Sequence, residues 1–190
     1  MSQVDVGKFF DNLTHTHIVY FHDGGEESKH TEFNFIKKGL EQQQHCFYTT
    51  QNPEEILSQM KDYGIDVEGK SDLLHIVKIP PDFVDYSKII LDKIDTLPQD
   101  SEIRLISTHR FDFDTEQKTD KMAEIEQCVD DDFDKIKGNM ICSFAVNKIN
   151  GDIRGRFLNQ LLDSHTAIVF QTEESKAEVC LLYTSDAADE

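Results

Sequence analysis

Residues 17–40, HIVYFHDGGEESKHTEFNFIKKGL, decide the fold of this chain. The apolar run at residues 18–21 has the length and the β-branched and aromatic character of a buried strand. A glycine turn follows at residues 23–25, and Phe33 and Ile36 then share one face of a predicted helix. Nucleotide-binding α/β proteins hold a phosphate with this order of strand, turn and helix.

The turn does not keep the residues of a phosphate-binding loop. Aligned with G-x-x-x-x-G-K-[ST], residues 24–31 match only at their two ends. Lys29 stands in place of the second glycine, and His30 stands in place of the lysine that binds phosphate. Two glutamates in the same segment would repel a triphosphate. We therefore interpret the segment as a degenerate phosphate loop, and this argues against an NTPase. Its marked residues are Gly24, Gly25, Lys29, His30 and Thr31.

Length and charge narrow the functional classes. The chain has 190 residues, enough for one domain with a sizeable core. Its formal net charge of −18 at pH 7 argues against nucleic acid as a direct partner, because phosphate binding needs clustered lysine and arginine. No apolar run approaches the length of a membrane span, and no signal-peptide pattern begins the chain. We expect a cytoplasmic protein with no membrane partner.

The last eleven residues differ from the rest of the chain. Residues 180–190, CLLYTSDAADE, resemble the translation of a transposon-adapter end used in sequencing libraries. We expect them to be a read-through segment that is not native, with the true C-terminus missing. This divides the chain into a lead-in at residues 1–15, an α/β domain at residues 16–179 and a foreign tail.

Strands and helices alternate along the predicted domain. Further strands are predicted at residues 45–50, 73–79, 101–107, 140–146 and 166–170, with helical patterns between them. This order predicts a single α/β domain, doubly wound, in which helices cover both faces of a mainly parallel sheet.

One predicted helix, at residues 116–137, is strongly acidic. Its apolar side chains share one face, and we interpret its acids as a solvated surface. A basic partner protein docked on these acids is the alternative. The acids concerned are Glu124, Glu126, Asp130, Asp131 and Asp134.

Several stretches, taken in order, resemble the MEDS domain, a sensory domain named for methanogens, methylotrophs and the regulator DcmR. They are HIVYF, FIKKGLEQQQHCFYTT, MKDYGIDVEG, IRLIS, MICSFAVNKIN and LLDSHTAIVF. The resemblance covers roughly residues 15–172. It implies a RecA-like or KaiC-like core without a working phosphate loop and a sensory role. The chain departs from the family at residues 107–110, where a glycine–acid turn is usual. No helix-turn-helix precedes the domain, so we expect no direct binding of DNA.

Three candidate site residues match positions that recur in the family: His17, Cys142 and His165. Two interpretations stay open for them. Neighbouring parallel strands could bring them to one ligand site. Alternatively, the histidines, which precede their strands, hydrogen-bond the backbone, and Cys142 is a small buried apolar residue.

A second set of candidates lies at the carboxyl ends of the first two strands, where α/β folds bind ligands. It consists of Tyr20, His22, Asp23 and Tyr48. We predict no metal site and no cofactor, because the eight histidines are scattered without an HExxH or CxxC motif. No G-x-S-x-G motif is present either, so no catalytic residue is assigned.

These observations predict a non-catalytic cytoplasmic sensory domain that binds a small molecule or a signalling protein, with self-association left open. A divergent nucleotide-dependent enzyme, using Lys29 or His30 in place of the usual lysine, is one alternative. An acidic module that binds a partner protein is the other.

Overall fold

The computed structural model describes residues 2–80, 87–173 and 176–182, and these form eight strands and six α-helices. The strands are β1 (Ser2–Asp5), β2 (His17–His22), β3 (His45–Thr50), β4 (Leu74–Lys78), β5 (Ile103–His109), β6 (Gly138–Ala145), β7 (Ala167–Glu173) and β8 (Lys176–Leu181). The helices are α1 (Val6–Asp11), α2 (Glu26–Glu41), α3 (Pro53–Asp62), α4 (Ser87–Ile94), α5 (Glu116–Asp131) and α6 (Gly151–Asp163).

All eight strands belong to one sheet, in the order β1-β8-β7-β2-β6-β5-β3-β4. The six strands from β7 to β4 are parallel, and β8 pairs antiparallel with both β7 and β1. The predicted mainly parallel sheet is confirmed. The antiparallel pair β1 and β8 was not predicted, because β1 has only one apolar residue, Val4. β8 includes Cys180 and Leu181 from the segment predicted to be foreign, and residues 183–190 lie outside the described chain.

Helices cover both faces of the sheet, as predicted. Helices α1, α2 and α3 pack on the face that we call the α2 face, and α4, α5 and α6 pack on the opposite α5 face. Successive residues of a strand point to opposite faces, so each central strand contributes to both cores. Among the residues described, no helix is both long enough and apolar enough to cross a membrane.

The turn between β2 and α2 contains only three residues, 23–25. Gly24 adopts φ +88°, a conformation that favours glycine, and the backbone N–H of Gly25 donates to Oδ1 of Asp23 at 2.9 Å. The helix begins at Glu26, so residues 29–31 of the predicted degenerate loop lie within its first turns. A loop of this length does not form the wide cradle of backbone N–H groups that surrounds a phosphate.

Candidate functional site

Four buried side chains from separate parts of the chain meet under α5 on the α5 face. His17 begins β2, Cys142 lies in β6, Glu126 lies in α5, and His165 lies between α6 and β7. Each offers one nitrogen, oxygen or sulfur atom, and these four atoms all lie within 4.8 Å of one another. We call these four residues the His–Cys–Glu cluster.

The contacts within the His–Cys–Glu cluster are short. Nε2 of His17 lies 3.4 Å from Sγ of Cys142 and 3.9 Å from Oε2 of Glu126. Nε2 of His165 lies 3.5 Å from the same carboxylate oxygen. The centroids of the two imidazole rings are 4.0 Å apart. Two of the sequence candidates thus lie side by side, with the third, Cys142, next to them.

The other ring nitrogen of each histidine is held by the surrounding protein. Nδ1 of His17 lies 3.3 Å from Oδ1 of Asp130, and Nδ1 of His165 lies 2.6 Å from the carbonyl oxygen of Leu161. Because both partners are acceptors, each Nδ1 carries the hydrogen and donates it. Phe133 stacks on the ring of His17, with 5.0 Å between centroids. The imidazoles are therefore fixed with Nε2 facing the cluster.

The surroundings also set the charges in the His–Cys–Glu cluster. Burial by itself would raise the pKa of Glu126, but His109, whose Nε2 lies 3.0 Å from Oε1, together with the two cluster histidines, lowers it to about 2. Burial and the neighbouring His17 lower the pKa of His165 to about 3. Burial, followed by the negative charge of Glu126, raises the pKa of the Cys142 thiol well above its usual value. At neutral pH the carboxylate is therefore ionised, His165 is neutral and the thiol keeps its proton.

A cavity of about 90 Å³ adjoins the cluster on the α5 face. We call it the apolar pocket; it lies between α4, α5 and the strands β5 and β6. Its polar end includes Glu126, which belongs to the His–Cys–Glu cluster, and its neighbour His109. Ser87, Ser107 and Asp132 also line the pocket. Its apolar walls include Ile90, Leu91, Leu105, Met122, Ile125, Val129, Ile136 and Met140.

A second buried network lies on the α2 face, around the carboxylate of Glu32. This side chain is fully buried. It accepts hydrogen bonds from Tyr48 and Ser143, each at 2.5 Å, and from Arg110 at 3.1 Å. The charge of Arg110 and two hydroxyl donors stabilise the buried anion. Two of the sequence candidates at the carboxyl end of the sheet, Tyr48 and His22, belong to this network.

The order of hydrogen bonds in this network differs from that of a serine hydrolase. The backbone N–H of Gly24 donates to Nδ1 of His22 at 2.9 Å, so Nε2 carries the hydrogen and donates to Oγ of Ser143 at 3.0 Å. The hydroxyl of Ser143 in turn donates to Glu32. A histidine that donates to the serine does not accept its proton, so the base of a catalytic triad is absent from this set of residues.

Two of the remaining sequence candidates lie beside the Glu32 network: Tyr20 contacts the ring of His22, with 5.1 Å between centroids, and Lys29 lines a cavity with Tyr48 and Arg110. Tyr20 donates its hydroxyl hydrogen to Gln171 of β7, and Asp23 is exposed in the β2–α2 turn. Lys29 Nζ donates to Oε1 of Gln59 on α3 at 2.9 Å, so it points away from the turn. Lys29 therefore does not take the position of the lysine of a phosphate loop, although residues 24–31 resemble such a loop at their two ends.

The sequence analysis was wrong about one acid, Glu126, which it placed on a solvated helix face although the residue is 1% exposed. Helical spacing could have revealed it, because Glu126 lies four residues after Met122 and three before Val129, on the apolar side of α5. Glu32 was also missed, although helical spacing could have revealed it: it lies four residues before the buried Ile36, on the apolar side of α2.

Comparison with known proteins finds one matching family and solved structures with a similar fold. A family model described as MEDS, "MEthanogen/methylotroph, DcmR Sensory domain", matches residues 16–166. A protein of Pyrococcus horikoshii OT3 solved in a structural study, PH0250, superposes with a TM-score of 0.64 at 11% identity, covering 94% of this chain and 91% of that one. The KaiC-like protein PH0186 of the same archaeon superposes with a TM-score of 0.54 at 14% identity, covering 91% and 81%. No curated protein sequence matches the chain. The KaiC-like architecture expected from the sequence is thereby confirmed.

Proposed function

Because the chain belongs to the MEDS family of sensory domains, we propose that it is a non-catalytic, cytoplasmic sensor that binds a small molecule in the apolar pocket. The single observation that carries this proposal is the shape and lining of that pocket. Apolar walls enclose a few polar groups, among them His109 and Glu126. Small-molecule sites commonly combine such walls with a few placed polar groups.

The lining defines the chemistry of the ligand. The apolar walls favour a compact molecule with a hydrocarbon or halogenated body. The carboxylate of Glu126 is an acceptor, so a hydroxyl or amine group on the ligand would gain a hydrogen bond at the polar end. The volume of about 90 Å³ limits the ligand to a few non-hydrogen atoms. We therefore expect a small, mainly apolar compound.

Two observations on the α2 face support a sensor rather than an enzyme. The three-residue turn after β2 and the orientation of Lys29 toward α3 leave the fold without a phosphate cradle at its usual place. The hydrogen-bond order from His22 through Ser143 to Glu32 provides no general base for the serine. Both features have structural roles, in the packing of α2 and the stabilisation of Glu32.

A thermal-shift scan of the full chain tests the proposal. The probes are methanol, dichloromethane and n-butanol, with ATP and Mg²⁺ as a separate arm. A compound that binds the folded state raises the melting temperature by mass action. We expect a shift with at least one small compound and none with ATP. The variant Val129→Phe, which fills the pocket from α5, should abolish that shift.

Leu158→Phe is the matched control, because Leu158 packs in the same core from α6 but does not line the pocket. It should keep the ligand-induced shift. A shift that survives Val129→Phe would place the ligand elsewhere. A Mg²⁺-dependent shift with ATP alone would favour a nucleotide-dependent enzyme, and no shift with any probe would favour a module that binds a partner protein.

A further inference from the structure

We propose that His17, Glu126, Cys142 and His165 form a binding site for a divalent transition-metal ion of the Zn²⁺ class. The proposal does not depend on what the apolar pocket binds. It begins from the hydrogen-bonding capacity of four atoms that lie within 4.8 Å of one another in a buried position. These atoms are Nε2 of both histidines, Oε2 of the carboxylate and Sγ of the thiol.

The four atoms provide too few hydrogens to satisfy one another. Each histidine donates through Nδ1 to an outside acceptor, so each Nε2 presents a lone pair to the centre. Oε2 of Glu126 is a third acceptor, and the thiol of Cys142, close to both His17 and Glu126, is the one donor for all three. Within the described chain, Oε2 of Glu126 and Nε2 of His165 have no hydrogen-bond partner of acceptable geometry. Two buried acceptors that face each other at 3.5 Å are costly unless a proton or a metal cation lies between them.

Three of the six distances between the ligand atoms are close to those of tetrahedral coordination, and all six are within 4.8 Å. Ligand atoms about 2.1 Å from a central ion, at tetrahedral angles, lie roughly 3.4 Å apart. The sulfur–nitrogen contact of Cys142 and His17 is 3.4 Å, and the oxygen–nitrogen contact of Glu126 and His165 is 3.5 Å. Nε2 of His17 and Oε2 of Glu126 are 3.9 Å apart. Small side-chain shifts would bring all four atoms to bonding distance.

The ligand types define the class of metal. Thiolate and imidazole favour Zn²⁺ and related borderline ions over Mg²⁺ and Ca²⁺, which prefer oxygen ligands. Binding transfers the proton of Cys142 to solvent and forms a metal–thiolate bond, and no electron is transferred. The thiolate and the carboxylate then carry two negative charges, which match a divalent cation. With four protein ligands the site is closed, as in structural and sensory centres rather than in catalytic ones.

Groups around the cluster support three of the four ligands from behind. Asp130 and the carbonyl of Leu161 accept from the two imidazoles, and His109 contacts the distal carboxylate oxygen of Glu126. Such partners fix the orientation of metal ligands and raise their basicity. A second cavity, of about 250 Å³, borders His165 and Asp130 and includes the exposed Asp134. It offers an acidic route from the surface to the site.

Cobalt substitution tests the proposal on the full chain. The protein is treated with a chelator, desalted and titrated with Co²⁺ alone. We expect saturation at one Co²⁺ per chain, with visible bands of a tetrahedral ion and a near-ultraviolet thiolate-to-Co²⁺ band. Zn²⁺ should displace the Co²⁺ and remove both signals. Cys142→Ser should lose the thiolate band, and Asp130→Asn should weaken binding by about 10- to 100-fold.

Cys46→Ser is the matched control, because Cys46 is also fully buried but lies on the α2 face. This variant should keep both signals. Circular dichroism of the metal-free proteins shows whether each variant folds. If Cys142→Ser does not fold, a variant in which Cys46, Cys128 and Cys180 are all replaced by serine decides the question, because it must keep the thiolate band. No stoichiometric Co²⁺ binding by wild type, a thiolate band that survives Cys142→Ser, or one lost in Cys46→Ser would overturn the proposal.

Discussion

Cys142 and Ser143 are adjacent on β6, and their side chains point to opposite faces of the sheet. Each interacts with a buried glutamate on the helix that covers its face. Cys142 interacts with Glu126 of α5, and Ser143 donates to Glu32 of α2. A buried carboxylate is stable only when charges and donors compensate it. Arg110 and two hydroxyl groups compensate Glu32, whereas histidines surround Glu126. The two faces therefore compensate the charge of a buried carboxylate with different groups.

His22 should make the stability of the domain depend on pH. Burial lowers its pKa to about 4, opposed by Glu32 and Asp23 and assisted by Arg110, against 6.5 for the free side chain. Between these values the unfolded chain binds the proton and the folded chain does not, so stability is full above pH 6.5 and is lost as pH falls. From pH 7 to pH 5, we expect His22 to account for a loss of roughly 2 kcal/mol in the free energy of unfolding.

Urea unfolding at pH 7 and pH 5 measures this effect. His22→Gln removes the titrating group, so its free energy of unfolding should fall by roughly 2 kcal/mol less than that of wild type. His30→Gln replaces an exposed histidine of α2 and should follow wild type. Equal losses in wild type and His22→Gln would refute the assignment to His22.

At the scale of the elements, α2 packs against β3 and β5 through a glycine. A Cβ atom at Gly39 would lie 2.6 Å from Sγ of Cys46 and 2.7 Å from Cδ of Arg104. The buried guanidinium of Arg104 is held by Gln44 Oε1 at 2.6 Å and by the carbonyl of Phe10 at 3.1 Å. The arginine therefore cannot retreat without breaking hydrogen bonds in the core.

We expect Gly39→Ala to destabilise the protein by roughly 1–3 kcal/mol, because overpacking outweighs the gain in helix propensity. Gly155→Ala on α6 is the matched control. No described atom outside its own stretch of helix lies within 4 Å of a Cβ atom there, so we expect a stabilisation of about 0.5–1 kcal/mol. Denaturant unfolding of both variants gives the comparison. Stabilisation by Gly39→Ala would contradict the close packing of α2.

The elements were predictable to the extent that they have local signals. Continuous apolar runs identified β2 and β6, and the alternation of strands and helices predicted the parallel sheet. β8 was missed because no strand was predicted after residue 170, and its last two residues, Cys180 and Leu181, were assigned to a foreign tail. The His–Cys–Glu cluster combines residues 17, 126, 142 and 165, which only the pairing of strands and the docking of α5 bring together. No motif of fixed spacing records such contacts, so the sequence left a common site of His17, Cys142 and His165 as one of two interpretations and did not include Glu126.

At the scale of the whole molecule, the His–Cys–Glu cluster connects distant parts of the chain. Its residues come from β2, α5, β6 and the segment before β7, so a bound ion would join the centre of the sheet to the helix that covers it. The site depends on this tertiary arrangement, and the unfolded chain does not preserve it. The free energy of metal binding should therefore add to the free energy of unfolding.

Zn²⁺ should raise the melting temperature of the full chain. At a free concentration 100-fold above the dissociation constant, binding adds about 2.7 kcal/mol. For a chain of this size that corresponds to a rise of roughly 5–11 °C. The net charge of −18 means that any divalent cation also reduces charge repulsion, so Mg²⁺ at the same concentration provides the baseline. Cys142→Ser should respond to Zn²⁺ no more than to Mg²⁺, whereas Cys46→Ser should respond as wild type does. Equal shifts with Zn²⁺ and Mg²⁺ in wild type would mean that the ions act on the acidic surface alone.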